Sequence, residues 1–337
     1  MTMPLGEALR GRRRVADNRG PTQAAKHKPS MAIQWFPGHM HVTRKAIAER
    51  IKLGIDVVIE LLDARMPGAS ANPLLSSLTA GKPALKLLNK QDLADPGRTV
   101  QWLDHYNKLP ETRAIALDAS ERAPAQRLVK ACRELAPLRG GMAKPLRVLI
   151  CGVPNVGTST LINTLVGKKS AKTGDEAGIT KIEQCIMLAS DFKLFDTPGM
   201  LWPKIEVPQC GYLLAACGAI GRNAYDEQEV ALELLEQLQA SYAASIESRY
   251  RLTDVAAMKS ELLLEAIARQ RGLVQTGGRI NLQKAAEVVL NDFRAAALGA
   301  ITLEAPAEHA GWQAAALAQA QADEALRAAR KGGRSGR

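Results

Sequence analysis

Asn89-Lys90-Gln91-Asp92, Gly152-Val153-Pro154-Asn155-Val156-Gly157-Thr158-Ser159-Thr160 and Asp196-Thr197-Pro198-Gly199 are the segments of this chain whose residue types and spacing can do chemistry. The Asp92 carboxylate can accept from N1–H and the 2-amino group of guanine together, a pairing adenine cannot return. Asn89 can reach the N7/O6 edge of such a base, and the stem of Lys90 can cover its ring. In the second segment two glycines are spaced to turn successive backbone N–H groups into one concavity at a helix start, which is a phosphate cradle. Val156, Gly157, Thr158, Ser159 and Thr160 would line it, and Ser159 offers a hydroxyl to Mg²⁺. In the third, Asp196 would hold Mg²⁺ through water and the Gly199 N–H would meet a γ-phosphate. Thr180, within Gly178-Ile179-Thr180, is a second hydroxyl for Mg²⁺ and γ-phosphate. Asp118 and Ala119 follow another apolar run and are the candidate backbone contact to the guanine O6.

Two features of this set are unusual. The guanine element precedes the phosphate loop and the switch, whereas an ordinary small GTPase carries it last, so the sequence predicts a circularly permuted GTPase domain. Thr158 also stands where such loops carry a lysine. A lost charge-assisted hydrogen bond costs roughly 1.5–3 kcal/mol, or about 10- to 150-fold in affinity. Lys168, Lys169 and Lys172 follow closely and are candidate substitutes. Met200 and Leu201 come after Gly199, where Ras-like enzymes place a water-orienting glutamine, so another group must hold the water.

These residues need strands and helices to position them. Residues 55–62, 83–88, 113–117 and 146–151 are apolar runs, each ending at one of the motifs, as buried parallel strands do. Two shorter strands are predicted near 184–188 and 193–195. Helical patterns cover 43–53 and 160–166. Alternating strands and helices imply an α/β fold, a mostly parallel doubly wound sheet with ligand at the strands' carboxyl ends. Beyond about residue 207 the pattern is helical. The predicted organisation is a basic extension over 1–30, the GTPase domain over 31–206, a small all-helical domain over 207–304 and an Ala-rich basic tail, loose helix or disordered, over 305–337.

The net charge of +11 points to a polyanionic partner, and Arg10, Arg12, Arg13 and Arg14 near one end and Arg327, Arg330 and Lys331 near the other suggest nucleic acid. Five cysteines without zinc spacing read as buried thiols in a reducing cytoplasm. No apolar run reaches the length of a membrane span, and no signal-peptide core follows the basic start.

Beyond these motifs, Trp35-Phe36-Pro37-Gly38-His39-Met40, Asp63-Ala64-Arg65, Ala171-Lys172-Thr173-Gly174, Leu201-Trp202-Pro203-Lys204, Gly277-Gly278-Arg279-Ile280-Asn281 and Asp292-Phe293-Arg294 complete a pattern over roughly 31–304. With it the chain resembles the YlqF/RbgA family of circularly permuted GTPases, bacterial factors in large ribosomal subunit assembly. The resemblance implies GTP and GDP binding, hydrolysis stimulated by the large (50S) subunit, and a helical domain on ribosomal RNA. It further implies a cytoplasmic protein. Nothing in the sequence suggests an obligate oligomer, so a monomer off the ribosome is expected, and no lipid anchor or amphipathic membrane helix points to a membrane partner. The resemblance makes His39 the candidate for orienting the water, the alternative being a histidine that caps a helix. Asn155 matches an asparagine associated with K⁺ in related GTPases, the alternative being a turn asparagine. Thr158 leaves a second reading open, a hydrolysis-deficient scaffold that binds ribosomal RNA.

Overall fold

Pro37 ends an extended segment and starts the first helix of the computed structural model, which describes residues 33–141, 143–167, 184–275 and 279–332. The elements are α1 (Gly38–Lys52), β1 (Val57–Asp63), α2 (Pro73–Leu78), β2 (Ala84–Asn89), α3 (Pro96–Asn107), β3 (Thr112–Leu117), α4 (Arg122–Leu135), β4 (Leu146–Gly152), α5 (Thr158–Val166), β5 (Gln184–Ala189), β6 (Phe192–Asp196), α6 (Pro208–Ala216), α7 (Glu227–Tyr250), α8 (Ser260–Gln270), α9 (Leu282–Arg294) and α10 (Pro306–Gly332). Helix α1 begins five residues earlier than its apolar spacing suggests, because Pro37 presets the turn and Met40 is buried.

Among the described residues the strands form one sheet in the order β3-β2-β1-β4-β6-β5, parallel except for β5. Every residue of central β1 is buried, as a parallel strand covered on both faces requires. Edge strand β5 has a solvent face instead, and it exposes Cys185. That corrects the expectation of five buried thiols; the other four are buried. The register aligns the strand ends that matter: Asp63 lies beside Asn89 and Asn89 beside Leu117, while Leu61 pairs with Gly152 and Ile150 with Asp196.

Helix α6 is buried at all seven positions from Cys210 to Ala216, the mark of a helix enclosed on every side. Helices α7, α8 and α9 pack on one another, and α7 and α9 pack on α6. After α9 the chain returns to the sheet as a strap. Ile301 N–H donates to Leu93 O (3.0 Å) and Leu303 N–H to Arg65 O (2.7 Å). The Thr302 hydroxyl donates to Ala64 O (3.0 Å) and accepts from Asp95 N–H (3.1 Å). Glu304, fully buried, accepts from Ala69 N–H (2.7 Å) and faces His309 Nδ1 (2.8 Å), while its carbonyl takes the Trp102 indole N–H. The region predicted as a loose tail, 305–337, therefore opens with one buried side chain, His309. His309 packs edge-on to Trp102, and α10 runs from there into solvent.

Thr302→Val keeps the shape and leaves the Asp95 N–H and Ala64 C=O without this partner. A buried group left unpaired costs roughly 1–3 kcal/mol, so the urea midpoint should fall with the slope unchanged. An unchanged midpoint would show that the strap does not hold the helical region to the sheet.

Candidate nucleotide site

Strand β4 can run into its loop only because residue 152 is glycine. A Cβ there would lie 2.7 Å from Leu61 O and 3.0 Å from Val156 Cγ2. Two left-handed residues, Asn155 (φ 60°) and Gly157 (φ 99°), then curl the backbone, and α5 starts at Thr158. Ser159 and Thr160 thus stand in the first turn of α5, half-buried, where helix N–H groups lack intrahelical partners and the helix dipole favours an anion. The turn is a cradle for phosphate.

The guanine element is tied into this loop by side chains. Asn89 is 2% exposed; its Nδ2 donates to Val156 O (2.6 Å) and its Oδ1 accepts Ala119 N–H (2.9 Å). Its remaining amide N–H is the group that can address a base edge. The Ala119 N–H, a candidate donor to O6, is spent on Asn89, and Asp118 accepts from the Ser120 N–H and hydroxyl (both 2.8 Å). Lys90, itself left-handed (φ 61°), donates to Asn155 O (2.8 Å) and to Asp63 Oδ2 (2.9 Å). Its ammonium is anchored, which fixes where its stem lies. Asp92 sits in a short 3-10 turn, exposed and without a hydrogen-bond partner among the described residues. It can receive two N–H groups of a base.

Below this element lies a buried charge cluster whose motif was visible in the sequence but whose role was not. Arg65 grips Asp63 with two bonds, Nε to Oδ1 (2.9 Å) and Nη2 to Oδ2 (2.7 Å). Burial by itself would raise the Asp63 pKa, but Arg65 and Lys90 outweigh it and hold the carboxyl well below the usual range. Arg65 also lies over the Phe293 ring of α9, 5.2 Å from its centroid. A charged residue ending a mostly apolar strand was the available signal.

On the other side, Thr197 N–H and hydroxyl both donate to Ile150 O, and Met200 N–H donates to Gly152 O (3.0 Å). A Cβ on Gly199 would lie 2.8 Å from Pro154 Cα, so the switch backbone rests on the phosphate loop. Asp196 closes β6 with its side chain buried and neither oxygen hydrogen-bonded among the described residues. Desolvation pushes its pKa up to about 7. An orphaned buried carboxylate at the end of the strand beside β4 has the chemistry to face a cation. Thr180, Lys168, Lys169 and Lys172 lie outside the described residues.

His39 is the second residue of α1 and exposed. The N-cap is Pro37, and no side chain caps the helix, so His39 does not act as a cap. The next residue, Met40, is buried, and its Sδ accepts the Leu201 N–H at 3.4 Å. That contact sets the start of α1 against the switch. Asn72 holds the same stretch from the other side, Nδ2 donating to Met200 O (2.7 Å). Asn155 Nδ2 donates to Gly218 O (2.8 Å), just past α6.

Comparison with known proteins finds similar GTPases. A family model described as "50S ribosome-binding GTPase" matches residues 147–245. Ribosome biogenesis GTPase A of Priestia megaterium is 42% identical over 286 residues, 82% of this chain and 98% of that protein. The protein of that name in Thermotoga maritima is 30% identical over 81% of this chain and 95% of its own length. Among solved structures, a GDP-bound YlqF superposes with a TM-score of 0.56 at 28% identity, over 77% of this chain and 99% of its own. The GNP-bound YlqF from T. maritima gives 0.55 at 26% identity, over 79% and 98%.

Two outcomes follow from the geometry. In Gly157→Ala the new Cβ falls 2.3 Å from Asn89 Nδ2 at a φ of +99°, so guanine nucleotide affinity should drop by roughly tenfold or more; unchanged titration of a fluorescent GDP would refute the tie. Asp196 carries a raised pKa, so its neutral form contributes stability that is complete below pH 3.8 and lost as pH rises through about 7. Mg²⁺-free Asp196→Asn should therefore unfold at higher urea than the parent at pH 8, the gap closing toward pH 4, while Mg²⁺-dependent nucleotide binding weakens. Equal midpoints at pH 8 would show that the carboxylate is not desolvated.

Proposed function

Because this chain belongs to the ribosome biogenesis GTPase A family, the YlqF/RbgA GTPases, we propose that it hydrolyses GTP during late assembly of the large ribosomal subunit, stimulated by that particle. It is a circularly permuted GTPase. The observation that carries the proposal is the joining of the guanine element to the phosphate loop by Asn89 and Lys90, with the switch glycine seated on the same loop.

In this reading Asp92 and the free N–H of Asn89 select guanine, Lys90 covers the ring, and the loop of Asp118 and Ala119 orients Asn89. Val156, Gly157, Thr158, Ser159 and Thr160 hold the phosphates, and the Gly199 N–H meets the γ-phosphate. Ser159, Thr180 and Asp196 hold Mg²⁺, which neutralises charge on the phosphate oxygens. The Asn155 oxygen takes K⁺. His39 orients the attacking water, since the residues after Gly199 have no group for it, and its helix is bonded to Leu201.

The partner is RNA of the particle. On α1, Arg44, Lys45 and Lys52 are exposed and have no ion-pair partner among the described residues, and they add to the basic ends and the +11 charge. The helical region over 207–304 supplies the second RNA contact, and the protein acts as a cytoplasmic monomer. No helix of the described residues is long and apolar enough to cross a membrane.

Thr158 opens α5 where the loop lysine would stand, and it supports the second reading of a particle-binding scaffold with little turnover. GTP hydrolysis with and without large subunits in K⁺ buffer, for this chain and Thr158→Lys, separates the two. Stimulated turnover by the unaltered chain is expected. Binding to the subunit with turnover only in Thr158→Lys would make the chain a scaffold, and no subunit binding by either would refute the proposal.

A further inference from the structure

We propose that Gln34 is a positioning residue that fastens the segment carrying His39 to the residues after Gly199, so that His39 travels with the switch. The proposal rests on the reading of His39 as the water-orienting group.

Gln34 pairs with the backbone of Ile205 in both directions. Its Nε2 donates to Ile205 O (3.2 Å), and its Oε1 accepts the Ile205 N–H (3.0 Å). A primary amide matched to a peptide unit in this way fixes orientation as well as distance, and only Asn or Gln can supply both halves. Met40 works in the same direction, while Ile33 and Trp35 seat the segment on the helical region. Ile33 is buried against α6, within 3.4 Å of where a Gly211 Cβ would be, and Trp35 lies 3.2 Å from the corresponding point at Gly221. Met40 Sδ accepts the Leu201 N–H.

Every hydrogen bond that residues 33–40 make to distant parts of the described chain ends on Leu201 or Ile205, and none ends on the phosphate loop. The hydrogen bonds of the segment that carries His39 therefore reference it to the stretch behind Gly199. That glycine has its backbone against Pro154 and is the point where a γ-phosphate would be felt. When the switch answers the γ-phosphate, Leu201 and Ile205 carry the start of α1 with them, and His39 reaches its working place only in that state.

The test uses the full chain in a Thr158→Lys background, so that phosphate-loop charge does not limit the rate. Single-turnover hydrolysis with large subunits is compared for the parent, Gln34→Leu, His39→Ala and the double variant. Gln34→Leu should slow the step about tenfold with KM for GTP and affinity for GDP unchanged. Gln34→Glu, which keeps the acceptor alone, should fall between. On His39→Ala the second change should cost nothing further, because Gln34 acts through His39. An equal loss in both backgrounds, or no loss from Gln34→Leu while His39→Ala is slow, overturns the proposal. In parallel, the His39 ring resonances of the parent should shift between GDP and a non-hydrolysable GTP analogue and stop shifting in Gln34→Leu. If His39→Ala hydrolyses as fast as its parent, the water-orienting reading has failed. The resonances then decide the fastening alone, and tracking that persists in Gln34→Leu overturns it.

Discussion

One side-chain amide sets the geometry of this site. Asn89 stands at the end of β2, buried, with its oxygen on Ala119 and its nitrogen on Val156. Three loops that leave three different strands are thereby held at hydrogen-bond distance from a single residue. The left-handed Gly157 makes room for it, since any Cβ at that position would occupy the space of the amide. A buried amide with both ends satisfied is stiff, and each of its partners would be left uncompensated if it moved. The Asn89 element and the loop after β4 are therefore one mechanical unit even though the first lies far ahead of the second in the chain.

The charge cluster beneath that amide extends the unit into the helical region. Asp63 is saturated by Arg65 and Lys90, and Arg65 rests on Phe293. Removing one partner of such a buried set costs roughly 3–5 kcal/mol, because the remaining charge is stranded. The residues around Phe293 on α9 also have defined partners. Asp292 pairs with Arg249 and Arg271, and Arg294 donates to the carbonyls of Ala215 and Ala216 at the end of α6. Together with the strap over 301–304, these contacts reference the helices to the guanine side of the sheet. The link to the phosphate side runs through Asn155 and Gly218 and through the segment after Gly199. The phosphate loop and the segment after Gly199 are thus tied to α6 and the start of α1, while the strap and Arg65 tie the helices to the Asn89 side of the sheet.

Much of this was legible in the chain. Strands whose ends bear Asn89, Gly152 and Asp196 show themselves as apolar runs, because a parallel strand buried on both faces has little choice of residue. The all-helical second half was readable from its spacing for a related reason. The burial of Glu304 and His309 was not, since a carboxylate and an imidazole look like solvent groups until they are seen on Ala69 and on each other. Cys185 looked like the other cysteines because a sequence does not say which strand lies at the edge. Pro37 hid the true start of α1, whose first turn carries few apolar residues to mark it.

By itself, then, the sequence determined the parts list and its permuted order, and with Thr158 it posed the question of charge at the phosphates. Those are properties of residue type and spacing, local along the chain. The tertiary structure alone decided who answers whom: Asn89 with Val156, 67 residues apart, Gln34 with Ile205, 171 apart, and Asp196 with no partner among the described residues. Such pairings follow from strand register and helix packing. A shift of one residue in register would turn Asn89 and Asp196, which end β2 and β6, to the opposite face.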